Sequence, residues 1–180
     1  VDGAAGSGKS TFAGRLAAAV RAGGAVAAEV HTDDLLDGWA DLLAFWPRLE
    51  SGILEPLAAG RPGGYHGYDW EAGRLRADPT AVPVPEILIV EGVASSLAAV
   101  RDRLTLAVRV LAPDDLRLAR GMARDGVALL PQWLRWQRAE AEHFAGAAPG
   151  PDDVLADGAP TLPHDADREY VEAGGPLTEG

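Results

Sequence analysis

Apolar and amphipathic stretches alternate along the chain, and they predict a protein in which strands and helices follow one another. Short apolar runs bounded by turn residues are typical of buried strands; they occupy 25–31, 87–90, 104–111 and 153–156. Stretches with helical periodicity occupy about 9–21, 47–59, 114–124 and 131–144. Strands that alternate with helices form a mostly parallel sheet that is covered on both faces.

This order of elements predicts a three-layer α/β fold in one domain over residues 1–157. A strand should precede the glycine-rich start, and we expect that it is cut off, because the sequence begins at Val1. Residues 60–85 form the longest segment without periodicity, and long irregular segments are usually functional or disordered. The acidic stretch 158–180 contains glycine and proline and is predicted to be a loosely ordered tail.

Composition and charge narrow the classes of partner. The 180-residue chain carries 27 acidic and 16 basic residues and a formal net charge of −11. This balance disfavours nucleic acid and anionic membranes as partners, because both attract basic surfaces. The absence of cysteine excludes disulfides and thiolate metal sites. The apolar runs are too short to span a bilayer, so we expect a cytoplasmic protein.

The most specific feature is GAAGSGKS at residues 3–10, which fits the P-loop pattern G-x-x-x-x-G-K-[ST]. Its glycines allow successive N–H groups to point into one concavity, and the helix that follows adds partial positive charge. Lys9, the only lysine of the chain, would reach the β- and γ-phosphates of ATP, and the Ser10 hydroxyl would bind Mg²⁺. The alternative is a glycine-rich turn without a ligand. The predicted nucleotide-binding residues are Gly3, Ala4, Ala5, Gly6, Ser7, Gly8, Lys9, Ser10 and Thr11.

Acidic residues follow two predicted strands, at the sheet edge where α/β proteins bind ligands. Glu91 comes directly after 87–90 and is predicted to hold Mg²⁺, directly or through water; alternatively, it caps the helix that follows. Asp33 and Asp34 follow 25–31, and Asp33 is the better candidate for a base that takes the proton of an acceptor hydroxyl. These two aspartates could instead open a helix as N-caps.

Arg117, Arg120 and Arg124 are spaced to lie on one side of a helix. If they converge on a cleft, they would neutralise charge on a transferred phosphoryl group. The spacing alone equally allows a solvated helix face whose arginines pair with nearby aspartates. Trp133 and Trp136, at helical spacing on the next helix, are predicted to pack in the core.

Together these segments resemble the uridine kinase branch of the P-loop nucleoside-kinase-like family, in particular its actinobacterial type. The matching segments follow the family's order and are GAAGSGKST (3–11), HTDDLLDGW (31–39), YDW (68–70), ILIVEGV (87–93) and RLARGMARD (117–125). The resemblance implies a P-loop NTPase fold with a mostly parallel five-stranded sheet in the adenylate kinase-like order. It also implies phosphorylation of a small hydroxyl acceptor that depends on ATP and Mg²⁺.

The resemblance implies a role for each matching residue by its position. Asp33 corresponds to the base, and Ser10 and Glu91 correspond to the Mg²⁺ ligands. The arginines correspond to those of a lid region, so the predicted catalytic residues are Lys9, Asp33, Arg120 and Arg124, with Arg117 at the nucleotide. The predicted acceptor-binding residues are Asp34, Tyr68 and Asp69.

The acceptor half of the resemblance is incomplete. The family's Asp-His-Pro segment has no counterpart between Asp37 and Gly60, and the expected histidine does not follow Trp70. A nucleoside such as uridine or cytidine is therefore the first acceptor to test, and other alcohols remain open. The competing hypothesis is a nucleotide-dependent switch or regulatory ATPase, which would bind ATP without a small acceptor.

Overall fold

The computed structural model of the protein describes residues 1–39 and 42–174. The strands are β1 (Ala27–His31), β2 (Gly63–Tyr65), β3 (Tyr68–Asp69), β4 (Arg74–Leu75), β5 (Thr80–Val82), β6 (Ile87–Glu91), β7 (Val108–Leu111) and β8 (Val154–Asp157). The α-helices are α1 (Lys9–Ala22), α2 (Phe45–Leu49), α3 (Glu55–Ala58), α4 (Asp114–Asp125) and α5 (Leu130–Ala145). A π-helical turn (Glu50–Leu54) joins α2 to α3, and 3₁₀ turns cover Thr32–Leu35, Ala98–Arg103 and Val127–Leu129.

The main strands pair in parallel. β1 pairs with β6, and their register places His31 beside Glu91 at the carboxyl ends of both strands. β7 and β8 form a second parallel pair. The first two residues contact both pairs, because the Gly92 N–H donates to the Val1 carbonyl (3.1 Å) and the Asp2 N–H donates to the Val108 carbonyl (2.8 Å). The α/β class is confirmed, whereas the five-stranded sheet and its order remain predictions.

The helix predicted at about 47–59 is divided into α2, the π-helical turn and α3. Two further predicted elements differ from those observed. The strand predicted at 104–111 is limited to Val108–Leu111, because only these residues pair with β8. The segment 60–85 is not irregular throughout, because β2 pairs with β5 and β3 pairs with β4, both antiparallel. Both differences arise from pairing between residues that are distant in sequence, which hydrophobic periodicity does not report.

Helices cover both faces of the β1–β6 pair. Ala13 and Ala17 of α1 pack against Ile89 on one face. Because successive strand residues point to opposite faces, the neighbouring Val90 packs on the other face, in a cluster with Phe45 of α2. This sandwich is the three-layer arrangement that the sequence predicts.

The described part of the predicted tail runs back along β8. The Asp157 N–H donates to the Val171 carbonyl (2.7 Å), and the Tyr170 ring meets Phe12 of α1 edge-on, with centroids 6.0 Å apart. The rest of the predicted tail, residues 175–180, lies outside the described residues. Within the part of the chain that the structure describes, no helix is long and apolar enough to cross a membrane.

Candidate active site

The glycine-rich segment folds as a loop onto the start of α1. Gly3, Gly6 and Gly8 have φ angles of 149°, 78° and 99°, a range that residues with side chains rarely adopt. Space also requires a glycine at position 6, because a Cβ there would lie 2.5 Å from the carbonyl oxygen of Arg117. α1 begins at Lys9, so its unpaired N–H groups and positive end face the loop. This is the geometry that binds phosphate groups.

Lys9, Ser10 and Glu91 meet at the end of this loop. The Ser10 hydroxyl donates to Glu91 Oε1 (3.0 Å), and Lys9 Nζ lies 3.9 Å from the same oxygen. The second carboxylate oxygen, Oε2, contacts Nδ1 of His31 at 2.6 Å. Lys9 and Glu91 are only 5% and 3% exposed. The predicted cation, hydroxyl and carboxylate therefore form one network, in which Lys9 and Glu91 are buried and Ser10 is exposed.

This network determines the charge state of Glu91. Burial acts to raise the pKa of Glu91, but the hydrogen bond with His31 and the positive charge of Lys9 outweigh it, and the pKa lies below its usual value. The hydrogen bond with Glu91 in turn raises the pKa of His31. Glu91 is therefore ionised at neutral pH.

The Ser10 hydroxyl and the Glu91 carboxylate are the oxygen donors that a cation would meet beside the loop. Mg²⁺ in nucleotide sites takes one or two protein oxygens and fills its other positions with water and phosphate oxygens. Over residues 1–39 and 42–174, no group of three or more His, Asp or Glu side chains could hold a metal on its own. These donors fit Mg²⁺ that arrives together with a nucleotide.

The 3₁₀ turn after β1 carries the two predicted aspartates. Thr32 is buried at the start of this turn, whereas Asp33 is exposed and Asp34 is half-buried. The Tyr65 hydroxyl donates to Asp34 Oδ2 at 3.2 Å. Asp34 is therefore held in place by a side chain from the long segment after α3.

Asp33 lies close enough to Lys9 and Glu91 for their charges to act on its carboxyl group. Asp33 is exposed, and partial desolvation of its carboxyl group raises the pKa of Asp33. The positive charge of Lys9 opposes the rise, and the negative charge of Glu91 adds to it. A carboxylate with a raised pKa is a better proton acceptor, which suits the role of a general base.

A cavity of about 450 Å³ joins these groups to an aromatic wall. Its polar lining includes Ser10, His31, Asp33, Asp34, Glu91, Arg124 and Asp125. Its aromatic lining consists of Trp39, Trp70, Trp133 and Trp136. Trp133 and Trp136 are buried, as core packing predicts, whereas Trp70 is 41% exposed and meets Trp39 edge-on with centroids 5.4 Å apart. The cavity is thus lined by both polar side chains and aromatic rings.

Two predicted acceptor residues lie behind this wall. Tyr68 is buried and packs edge-on against Trp70, with ring centroids 4.9 Å apart. The Asp69 carboxylate accepts the N–H groups of Glu71 (3.1 Å) and Ala72 (2.9 Å), and the bond from Ala72 is the main reason why its pKa is lowered. Neither residue lines the cavity, and Trp70, the third residue of the same segment, does.

Two of the three predicted arginines contact the phosphate loop. Arg117 is buried, and its guanidinium donates to the Ala5 carbonyl at 3.1 Å. Arg120 donates to the carbonyl oxygens of Gly6 and Gly158, both at 3.0 Å. In this structure both guanidinium groups therefore bind main-chain oxygens of the loop or of the turn after β8.

Arg124 occupies a different place, because it lines the 450 Å³ cavity. Its guanidinium forms two hydrogen bonds with the Asp125 carboxylate (2.7 and 3.0 Å) and lies 5.7 Å from the centroid of the Trp133 ring. The sequence left open that these arginines pair with nearby aspartates on a solvated helix face. Arg124 does form such a pair, with Asp125. It nevertheless stands at the cavity, where it can reach a ligand.

Sequence reasoning missed three residues of this site. Asp2 is buried, and its carboxylate accepts the N–H groups of Gly3 (2.7 Å) and Ala94 (2.9 Å), which ties the phosphate loop to the turn after β6. His31 binds Glu91, and its position at the end of a strand next to Asp33 was an available signal. The third, Glu140, contacts the loop from α5.

Comparison with known proteins supports the fold. No protein-family model matches the chain, and no curated protein matches it either. The solved structures that it resembles include a possible uridine kinase from Bacillus stearothermophilus, at 18% identity and a TM-score of 0.55, over 78% of each chain. They also include a protein described as a fructose transport system kinase from Silicibacter sp. TM1040, at 23% identity and a TM-score of 0.59, over 84% of this chain and 85% of that one. At these identities the likeness shows the fold alone, which is that of P-loop kinases.

Proposed function

We propose that the protein is a kinase that transfers the γ-phosphoryl group of ATP to a hydroxyl group of a small molecule, with a nucleoside as the first candidate. The observation that carries this proposal is the meeting of Lys9, Ser10 and Glu91 at the phosphate loop, with Asp33 in the cavity that Ser10 and Glu91 also line. One side of this cavity offers a phosphate cradle and the other offers a base. Phosphoryl transfer to an alcohol requires both of these.

In this mechanism the loop amides and Lys9 hold the β- and γ-phosphates. Bound Mg²⁺, held by Ser10 and Glu91, would neutralise charge on the phosphate oxygens. The hydroxyl oxygen of the acceptor attacks the γ-phosphorus, and Asp33 accepts the proton of that hydroxyl. The bond from that phosphorus to the bridging oxygen then breaks, and ADP leaves. Arg124, at the cavity, is the arginine best placed to stabilise the transferred group.

A second cavity, of about 390 Å³, lies between α1 and the described part of the tail. Gly8, Thr11, Phe12, Arg120 and Tyr170 belong to its lining, so it begins directly beside the phosphate loop. We assign the adenosine part of ATP to this cavity, because its aromatic rings offer a stacking surface. The 450 Å³ cavity on the other side of the loop is then left for the acceptor.

The test is ATP turnover with and without a panel of nucleosides, sugars and other alcohols, with each product identified by its mass. We expect one class of acceptor to stimulate turnover and to gain one phosphoryl group. Steady hydrolysis that is indifferent to every acceptor would instead support the nucleotide-dependent switch. Absence of binding to magnesium nucleotides would remove both alternatives.

A further inference from the structure

A buried ion pair behind the phosphate loop has no part in the mechanism above. Glu140 of α5 is 1% exposed, and Arg117 of α4 is 7% exposed. The Arg117 guanidinium donates to Glu140 Oε2 at 3.1 Å and to the Asp114 carboxylate at 2.8 Å. The other carboxylate oxygen of Glu140 does not face this partner.

That second oxygen, Oε1, accepts the N–H of Ala5 at 2.7 Å. The Ala5 carbonyl in turn accepts from Arg117 at 3.1 Å. Both polar groups of one loop residue are therefore bound by the two members of one ion pair. Ala5 is the third residue of the P-loop motif, so this contact fixes the direction of its peptide groups at the bend of the loop.

Packing restrains the loop closely at Gly6, where a Cβ would lie 2.5 Å from the Arg117 carbonyl oxygen, but it is incomplete elsewhere along the loop. A cavity of about 240 Å³ lies behind the loop, and Gly3, Ser7, Arg117 and Glu140 are among the residues that line it. Side-chain packing against neighbouring elements normally holds a buried loop in one position. Beside this cavity, directional hydrogen bonds add to the restraint that packing supplies.

The energetics of the pair also indicate a positional role. Burial raises the pKa of Glu140, against the opposing effects of the Ala5 N–H and the Arg117 charge, so the ionised form is costly at this place. Buried ion pairs seldom add stability beyond what apolar side chains of the same volume would provide. Because the hydrogen bonds of this pair end on the phosphate loop, holding the conformation of that loop explains the pair better than a contribution to stability does.

We propose that Glu140 and Arg117 are positioning residues, which hold the phosphate loop in its anion-binding conformation through Ala5. The inference rests on the proposed function insofar as the loop binds nucleotide phosphates. It gives Arg117 a role that differs from direct contact with ATP. Helix α5 also carries Trp133 and Trp136 of the acceptor cavity, so one helix supports both halves of the site.

Glu140→Gln and Arg117→Lys test this role. Glutamine can still accept the Ala5 N–H, but its amide meets the Arg117 guanidinium donor to donor. Lysine keeps the positive charge, but its single nitrogen cannot take the places of both Nη1, which binds Glu140 and Ala5, and Nη2, which binds Asp114. The matched controls are Glu142→Gln and Arg138→Lys, which make the same changes of side chain at exposed positions of α5, the helix that carries Glu140.

The measurements are the dissociation constants of Mg-ADP and Mg-pyrophosphate by calorimetry and the midpoint of thermal unfolding. We expect both variants to weaken both ligands about tenfold or more, as the loss of a hydrogen bond to a charged group implies. The factor should be the same for ADP and pyrophosphate, because the defect lies in the phosphate loop. The controls should bind like the wild type, and the unfolding midpoint should stay close to that of the wild type.

Three results would overturn the inference. The first is two folded variants that bind both ligands like the wild type. The second is weaker binding in Arg117→Lys alone, which would mean that this arginine touches the nucleotide itself. The third is failure of both variants to fold, which would mean that the pair is required for folding. If only one variant fails to fold, ligand binding by the other variant tests the inference. A wild-type protein that binds neither ligand would instead refute the proposed function, which the first titration reveals.

Discussion

The two halves of the site are built in different ways. On the phosphate side, the groups that meet are neighbours in sequence or in strand register: Lys9 and Ser10 follow the loop glycines directly, and pairing of β1 with β6 places Glu91 beside His31. On the acceptor side, the walls come from separate segments, with Trp39 and Trp70 in loops and Trp133 on α5. A main-chain cradle is specified by a few consecutive residues, whereas a side-chain pocket is specified only by the complete fold.

This difference has an experimental consequence. In the proposed function, the phosphate side would hold its ligand by loop amides and one ammonium, and the acceptor side by a carboxylate and aromatic rings. Substitutions on the phosphate side should therefore change the binding constants of the nucleotide, and substitutions on the acceptor side should change the kinetic constants for the acceptor. Each should leave the other constants unchanged. Single substitutions on each side test that separation.

Asp33→Asn should abolish most of the transfer activity. Asparagine has nearly the same shape but cannot accept the proton, so we expect kcat with the best acceptor to fall about 10²- to 10⁴-fold. The affinity for Mg-ADP should stay at the wild-type value, because the substitution lies across the cavity from the loop. Steady-state kinetics and calorimetry check the two parts separately.

Asp37→Asn is the control for this substitution, because Asp37 is an exposed aspartate shortly after the same turn and pairs only loosely with Arg48 at 3.7 Å. It should leave kcat unchanged. If Asp33→Asn kept the wild-type kcat, another group would have to be the base, and the half-buried Asp34 would be the next candidate.

Lys9→Ala should lower both kcat and the affinity for Mg-ADP. The ammonium lies among buried groups at the loop, where a charge that faces a developing charge contributes most. We expect kcat to fall about 10²- to 10³-fold, with weaker binding of Mg-ADP. Arg21→Ala removes a positive charge from the exposed far end of the same helix, where its ion pair with Glu29 is worth at most about 1 kcal/mol. Equal losses from both substitutions would show that the effect is not local to the loop.

The sequence predicted the phosphate side of the site better than the acceptor side. The loop, the start of α1 and the strand ends that carry Glu91 and Asp33 could be predicted, since each depends on a short motif or on local periodicity. The sequence could not predict that Arg117 faces away from the cavity. Spacing places three arginines on one helix side, but only tertiary packing decides which of them meets the loop.

The acceptor wall was harder to predict for a related reason. Trp70 lines the cavity and Tyr68 does not, because the direction of each ring depends on the short β3–β4 pair, which periodicity did not indicate. Glu140 gave a weak signal: it lies four residues after Trp136 and seven after Trp133, on the face predicted to be buried. An acid on an apolar helix face needs a buried partner, and here the partners are Arg117 and the loop.

Gly92→Ala tests the contact that joins the two halves. Gly92 follows Glu91, has a φ of 147°, and a Cβ there would lie 1.8 Å from the Thr32 hydroxyl oxygen, next to Asp33. We expect the free energy of unfolding to fall by about 2 kcal/mol, from strain and overpacking, as measured by urea denaturation.

Two further variants interpret that result. Thr32→Ala removes Oγ1 and Cγ2, two of the three atoms that the new methyl group would meet, but keeps Cβ, so the double variant should regain part of the loss. Gly14→Ala lies on α1, where a Cβ would meet nothing within 4 Å, and should stabilise the protein by about 0.5–1 kcal/mol. A Gly92→Ala protein as stable as the wild type would mean that the strand ends can move apart, and that the spacing between Glu91 and Asp33 is not rigid.

Trp70→Ala should have the smallest effect and the most selective one. Trp70 is the most exposed ring of the aromatic wall, so its loss removes contact surface without opening the core. For an acceptor with a flat ring, the loss of one stacking partner should raise the acceptor KM about tenfold, while the KM for ATP stays unchanged. Leu75→Ala, at an exposed position that pairs with Tyr68 across the same short ladder, should change neither constant. A rise in the KM for ATP with Trp70→Ala would show that the two sides are coupled, whereas an unchanged acceptor KM would place the acceptor away from the aromatic wall.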